Sequence, residues 1–385
     1  MNKTNNLVIL IFTGIISLSI AIGIGRFSYT PILPYMISEL KLTNAQGGLI
    51  ASSNYFGYLV GSLIPILPNF TKKIRPLFFY SIFISILSLF FMGFTSSIEL
   101  FILIRFIQGF FSAFVLILGT TLIVSHIQSQ GKIFLSTSHF SGVGLGMALS
   151  AITVSCLGFL NFKWNELWYG IGFLTLILSF QIIKFTPKEK MEITNEVQSK
   201  DHSKLGFSLV TISYGLYGFG YVSFGTFIST MSRMTIGLEK TEPYVWFIVG
   251  FTGIPSVFFW NWFGGKIGND LGLFLANLIL GTGILISVVF NNSFGILMSC
   301  ILFGFSFIPI TSMSLLEGQK RYSGSFIVST AILTFSFSVG QMIGPYFSGL
   351  LTDFLGSFYF SMMISGIILI IGSFLMINPN RLSKI

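Results

Sequence analysis

Apolar runs long enough to cross a bilayer recur twelve times along this chain, near residues 7–37, 45–67, 76–95, 98–125, 133–160, 165–185, 205–231, 243–263, 271–291, 293–316, 325–352 and 354–377. Each reaches the roughly 20 residues that a helix needs to traverse about 30 Å of hydrocarbon. A backbone in that medium must satisfy its own N–H and C=O groups, so runs of this length admit only helices. Composition agrees, with 53% of residues hydrophobic and 9% charged, against roughly 25% charged in a soluble domain. The sequence therefore predicts an all-α, polytopic membrane protein with 12 transmembrane helices. Lys3 and the run from Leu7, with Ser19-Ile20-Ala21 as a small-residue cleavage site, have the outline of a secretory signal. The apolar pattern continues past Ala21, and the run is read as the first span.

The net charge of +9 does not indicate nucleic acid, because the basic residues sit between the spans. Assigned to alternate loops with the N-terminus inside, fifteen Lys and Arg fall on the cytoplasmic side, four outside (Lys41, Lys163, Arg233 and Lys240), and Arg26 and Arg105 remain within the spans. That bias predicts a protein of the cell inner (cytoplasmic) membrane with both termini cytoplasmic. The one long hydrophilic connection, residues 186–204, reads as a cytoplasmic linker between an N-terminal half, 1–185, and a C-terminal half, 205–385. Cys156 and Cys300 lie in apolar runs and are expected to be isolated buried thiols, while His126, His139 and His202 are scattered. Neither a disulfide framework nor a metal-ligand spacing results, and no cofactor is expected.

The two halves echo each other. Gly23-Ile24-Gly25-Arg26-Phe27-Ser28-Tyr29 of the first span matches Gly218-Phe219-Gly220-Tyr221-Val222-Ser223-Phe224 of the seventh at an offset of 195, and the same offset lays Gly109-Phe110 on Gly304-Phe305. An offset of 196 lays Val143-Gly144 on Val339-Gly340. Register kept across six spans implies two parallel six-helix repeats, an arrangement characteristic of secondary transporters with a midplane site at the repeat interface.

Arg26 is the residue such a site needs to explain. A guanidinium near the bilayer centre costs roughly 2.5–3.5 kcal/mol on the insertion scale and usually faces a cavity or a protein partner. Its helical face carries Ser19, Gly23, Tyr29, Thr30 and Leu33, and the matching face of span 7 carries Tyr214, Tyr217, Gly218, Tyr221 and Phe224. The expected substrate-binding residues are therefore Arg26, Tyr29, Asn54, Arg105, Gln108, Tyr217, Tyr221 and Gln341. Tyrosine offers a ring face to a cation and a hydroxyl to a polar group. Gly142, Gly144 and Gly146 read as helix-packing positions, and Pro31 and Pro34 as a kink in the outer end of the first span. All twelve acids fall in or beside loops. Two buried arginines without an acidic partner point to an anion or a strongly polar acceptor rather than a cation.

These residues resemble a known family. The chain is similar to major facilitator superfamily transporters, and Gly23 to Pro34 together with Asn54-Tyr55-Phe56-Gly57-Tyr58 resembles the YbfB/YjiJ branch. Arg105-Phe106-Ile107-Gln108-Gly109 resembles the superfamily's helix 4 motif, whose arginine is implicated in proton or substrate coupling. Pro68 to Arg75 keeps the basic residues of the family's gating loop but lacks its Asp, and Gly264 to Asp270 is a degenerate counterpart. The resemblance implies the major facilitator fold of two six-helix halves, and secondary transport of a small organic solute by alternating access. The partners implied are a small-molecule substrate, anionic or aromatic, a coupling proton and the lipid bilayer, for a monomer that is not an enzyme. The alternative is a transporter-derived membrane sensor that binds a ligand without flux. ATP-driven transport lacks its phosphate loop.

Overall fold

The computed structural model describes residues 3–64, 74–187, 203–323 and 326–377. Among them twelve long helices follow one another: α1 (Leu7–Leu40), α2 (Asn44–Leu63), α3 (Ile74–Phe94), α4 (Ile98–Ser129), α5 (Ser138–Phe159), α6 (Trp164–Phe185), α7 (Lys204–Met234), α8 (Glu242–Ile267), α9 (Asn269–Val289), α10 (Ser293–Arg321), α11 (Phe326–Leu355) and α12 (Tyr359–Met376). Each falls on an expected span. Ten stretches satisfy length and composition for a membrane crossing, and α2 and α11 complete the twelve. The centre of α2 is built from small and polar residues, Gly47, Gly48, Ser52, Ser53 and Asn54, because this helix faces protein rather than lipid. Of the linker expected at 186–204, residues 188–202 lie outside the described residues, as do residues 68–73 of the basic loop from Pro68 to Arg75.

Helices α1–α6 and α7–α12 form two halves that meet along α1/α7, α2/α11 and α5/α8. Glycine permits the approach. A Cβ on Gly48 would meet the Pro345 carbonyl, and one on Gly144 would meet the Gly250 carbonyl. Gly142 and Gly146, to either side, face the backbone of α1 at Ile15 and Ser19 instead. The glycine motif of α5 thus serves two neighbours on opposite faces, the packing role expected of it. Small residues of this kind let helices associate where lipid removes the hydrophobic drive.

Hydrogen bonds tie the halves together at the end remote from the chain termini, called here the far end. Thr30 Oγ1 donates to the Gly225 carbonyl at 2.7 Å, and Ser155 Oγ to the Pro243 carbonyl at 3.2 Å. The third tie completes a helix cap. At the start of α2, Thr43 and Gln46 form a capping box, each side chain accepting from the other's backbone N–H. That leaves the amides of Asn44 and Ala45, which donate to Asp353 of α11 at 3.0 and 2.7 Å, while Asn44 Nδ2 donates to the same carboxylate at 2.8 Å. Every amide of this first turn is thereby satisfied, two of them by the opposite half.

The first helix is broken where Arg26 sits. Residues Lys3–Leu18 are α-helical, Ser19–Ile24 widen into a π-turn, Gly25 to Ser28 form an irregular turn, and Tyr29–Leu40 resume the helix. The expected kink at the outer end is therefore displaced to mid-helix. A proline ring crowds the carbonyl four residues earlier, and for Pro31 that carbonyl is Phe27, inside the irregular turn. Pro34 sits in a continuous helix. Cys300 is buried as expected, but Cys156 is exposed, because it lies on the outward face of α5 beside Ile152 and Phe159.

Asp353→Asn removes the charge that caps α2 and is expected to loosen the far end by about 0.3–1 kcal/mol, the usual worth of a carboxylate at an exposed helix N-terminus. Maleimide labelling of a cysteine placed at buried Thr226 should accelerate in that variant. Unchanged labelling would show that Asp353 does not hold the halves together.

Candidate functional site

A cavity of about 70 Å³ lies between the halves near mid-height, on the termini side of the Thr30–Gly225 contact. Its wall combines Arg26, Tyr58, Leu116 and Phe140 of the N-terminal half with Tyr217, Tyr221, Phe307, Thr311 and Phe337 of the C-terminal half. Among the described residues, no carboxylate lines it.

The two central arginines are held very differently. Arg105, on α4, is fully enclosed and donates from Nη1 and Nη2 to the carbonyls of Gly25 and Arg26, each at 3.0 Å. Those carbonyls are free because the turn at Gly25 to Ser28 interrupts the helical ladder of α1. Thr30 N, which would reach Arg26 O in a regular helix, bonds Phe27 O instead. Gln108 Oε1 accepts a further bond from Arg105 Nη1, and the guanidinium lies 4.9 Å from the centre of the Tyr29 ring. The Tyr29 hydroxyl donates to Gly47 O at 2.9 Å, and Asn54 Nδ2 donates to Arg105 O at 3.0 Å. Helices α1, α2 and α4 are thus joined around one cation.

Arg26 has far less. Its guanidinium lies 4.3 Å from the ring centre of Tyr58 and 5.2 Å from that of Tyr55, with one long hydrogen bond, 3.4 Å, from Nη2 to Ser112 Oγ. Its Nε, like that of Arg105, has no partner among the described residues. A ring face contributes about 0.5–2 kcal/mol to a cation, and cannot replace the hydrogen bonds a guanidinium makes in water. An oxyanion in the cavity can.

Opposite Arg26 stands a wall of nearly parallel rings. Tyr217 stacks on Tyr221 with centroids 4.7 Å apart and planes 13° apart, and Tyr221 and Phe337 are 5.9 Å apart at 3°. Tyr214 continues the stack behind Phe337 at 4.5 Å. The wall is braced by a bond from the Tyr217 hydroxyl to Phe307 O at 2.6 Å and by Gln341 Nε2 donating to the Tyr221 hydroxyl.

Of the residues singled out from sequence, Arg26, Tyr217 and Tyr221 line the cavity. Tyr29, Asn54, Arg105, Gln108 and Gln341 stand behind it and brace those that do. The rings over Arg26 belong to α2 of its own half rather than to α7. Tyr55 and Tyr58 are three apart and share a helical face, a spacing visible in the sequence. Phe307, Thr311 and Phe337 carried neither a charge nor a repeat signal within their spans. A third buried arginine, Arg321, one of the fifteen basic residues that the sequence places in cytoplasmic loops, lies in the last turn of α10, where it is 2% exposed. It pairs with Glu317 at 2.8 Å and donates to Met376 O at 2.8 Å, so it is neutralised and holds α12.

Arg105→Lys keeps the charge but cannot reach both α1 carbonyls with a planar fork. We expect the purified variant to fold, to lose roughly 1–3 kcal/mol of stability in thermal unfolding for the unpaired carbonyl, and to lose function with it. A variant as stable and as active as wild type would show that α1 does not need the fork.

Comparison with known proteins places this architecture. The family model described as "Uncharacterised MFS-type transporter YbfB" matches residues 18–377. The Bacillus subtilis (strain 168) protein named "Uncharacterized MFS-type transporter YtbD" is 22% identical, the match covering 94% of this chain and 93% of that protein. Among solved structures, the nucleoside transporter NupG superposes with a TM-score of 0.70 at 16% identity, covering 97% of this chain and 98% of NupG. A point mutant of NupG gives 0.73 at 15% identity, covering 96% and 98%. With a twelve-helix fold in two halves and a family match over nearly its whole length, this chain belongs to the major facilitator superfamily, in the family of the YbfB-type transporters.

Proposed function

We propose that this protein moves a small organic solute with a flat ring and a negatively charged or strongly polar group, by alternating access between its two halves. The observation that carries the reading is Arg26: a buried cation on the cavity wall, short of hydrogen-bond partners, facing a stack of parallel rings. An oxyanion would complete the guanidinium's hydrogen bonds while the ring of the solute lies against Tyr217, Tyr221 and Phe337. A cationic solute would meet Arg26 with no carboxylate among the described wall residues to offset it.

The cavity of about 70 Å³ is smaller than the roughly 300–1,000 Å³ of ordinary ligand sites, so loading requires the halves to part. The fifteen-to-four distribution of basic residues supports cytoplasmic termini, with the far end, where Asp353 caps α2, on the outer side. On this reading the contacts at the far end form the outward seal. On this topology a cysteine at exposed Gln130 labels only from the cytoplasm and one at exposed Lys240 only from outside. The reverse pattern would invert the protein.

The substrate class is tested by ligand-induced thermal stabilisation of purified wild type, Arg26→Gln and Tyr221→Phe, with flux into proteoliposomes with and without a pH gradient as the second measurement. The probes are an aromatic carboxylate, its neutral amide and a neutral nucleoside, the last because NupG carries that name. Losing a charge-assisted hydrogen bond costs about 1.5–3 kcal/mol, so Arg26→Gln should weaken carboxylate binding roughly tenfold to a hundredfold and leave the amide nearly unchanged. Tyr221→Phe should weaken both slightly. Equal losses for carboxylate and amide would mean that Arg26 shapes the cavity without reading charge. Stabilisation without flux for any probe would make the protein a sensor.

A further inference from the structure

A second cavity lies far from the first, on the outer face of the N-terminal half between α3 and α6. It is a groove of about 470 Å³ lined by Phe79, Phe83, Leu87 and Phe90 of α3 with Phe180 and Ile183 of α6 among its walls. Ser179 is the one polar side chain in the described lining, and its hydroxyl is spent on the Leu176 carbonyl of its own helix at 2.7 Å. The two helices run antiparallel, with Phe90 against Phe173 at 5.2 Å near the far end. The termini end of the groove is therefore the end where Phe79 meets Ile183.

Two cations stand at that end. Arg75 lies one turn before Phe79, with its guanidinium 5.0 Å from the centre of that ring. Lys184 follows Ile183 directly, exposed in the last turn of α6. Neither is in an ion pair with a described residue, and the Nε of Arg75 is enclosed without a hydrogen-bond partner among the described residues. Phe83, Phe180 and Ile183 are 59%, 66% and 60% exposed. In water such a face would be an aggregation hazard. In a bilayer it is solvated by acyl chains, and a concave stretch of it takes one chain in particular.

We propose that the α3–α6 groove is a binding site for one anionic glycerophospholipid of the termini-side leaflet, its acyl chain lying along Phe83, Leu87 and Phe180 and its phosphate held by Arg75 and Lys184. The shape and the charge agree on the occupant. The groove is apolar along the depth of the hydrocarbon and becomes cationic where a headgroup sits, and basic pockets between transmembrane helices are suited to anionic headgroups. Arg75 offers a planar fork to a phosphate, with a donor that no described residue takes up. Free phosphate would engage the cations but leave the groove empty, so the lipid and not the ion is the ligand.

Native mass spectrometry of the delipidated protein, given equimolar phosphatidylglycerol and phosphatidylcholine with identical chains, tests this. Wild type should retain one phosphatidylglycerol in preference to phosphatidylcholine. Two cations at an anionic headgroup are worth about thirtyfold, and the double variant Arg75→Gln/Lys184→Gln should lose a preference of that order while still binding either lipid. Leu87→Trp fills the groove without adding charge and should reduce binding of both lipids. Lys266→Gln is the control, since Lys266 is an exposed cation near the same end of α8, 4.2 Å from the Trp262 ring centre and outside this groove. It should behave as wild type. The proposal is overturned by equal retention of the two lipids in wild type, by an undiminished preference in the double variant, by an equal loss in Lys266→Gln, or by wild-type binding in Leu87→Trp. Displacement of phosphatidylglycerol by glycerol phosphate at equal concentration would also overturn it, because the chain would then contribute nothing.

Discussion

The fold around the site depends on one guanidinium closing a gap in one helix. A break in a transmembrane helix exposes carbonyls that no water can reach, and each costs free energy unless a donor is brought to it. Here the gap is the turn from Gly25 to Ser28, and Arg105 of α4 fills it with donors 3.0 Å from the carbonyls of Gly25 and Arg26. The arrangement is reciprocal. The break gives Arg105 acceptors that offset part of its burial, and Arg105 supplies the donors that the break leaves wanting. Its consequence falls on Arg26, whose backbone is pinned by that contact while its side chain is turned towards Tyr58 and the cavity.

The repeat in the sequence acquires a physical meaning at the same level. Thr30 and Gly225 are 195 residues apart, the offset that superposes the two halves, and they are joined by a hydrogen bond of 2.7 Å. Residues equivalent under a two-fold relation can touch only close to its axis, so this bond marks where the pseudo-axis passes through the seal. One turn below, the equivalent pair is Arg26 and Tyr221, and both line the cavity. At this level the halves differ in backbone and in chemistry, since α1 is broken at Gly25 to Ser28 and the equivalent stretch of α7 is continuous helix. One contributes a charge short of partners, the other a stack of rings.

The fold was legible because each helix is announced by its own hydropathy, a local property, and the twelve observed helices fall on the twelve apolar runs. The repeat was legible because glycine spacing survives where side chains diverge. Contacts between distant segments were not. Arg26 could be recognised as a charge needing partners, but its rings come from α2, and nothing in the sequence distinguishes Tyr55 and Tyr58 from the tyrosines of α7 as neighbours. The break in α1 was placed too near the outer end because the prolines are visible and the carbonyls they disturb are not. Arg321 read as a loop cation because its compensation, Glu317, is local while its burial against Met376 is not.

The seal at the far end is tight in shape and weak in energy, and an alternating mechanism needs both properties. It is tight because small residues bring backbones together, as at Gly48, where a Cβ would meet the Pro345 carbonyl, and at Gly349, where one would meet the Asn44 carbonyl. It is weak because apolar helices gain little from one another that lipid does not also provide, and because the carboxylate of Asp353 that completes the α2 cap is exposed, where such a charge contributes about 0.3–1 kcal/mol. A buried ion pair in that position would resist separation by several kcal/mol once its partner left. The two buried arginines of the N-terminal half instead keep their fixed contacts, to Gly25, Ser112, Tyr29 and Tyr58, within that half. The contacts of these two arginines therefore need not break when the halves part. What holds the halves at their interface is a few hydrogen bonds, glycine contacts, the Arg233 guanidinium 3.7 Å from the centre of the Tyr35 ring, and the contacts of Phe27 with Trp246 and Phe307, a barrier that a solute bound against Arg26, as proposed above, would bias.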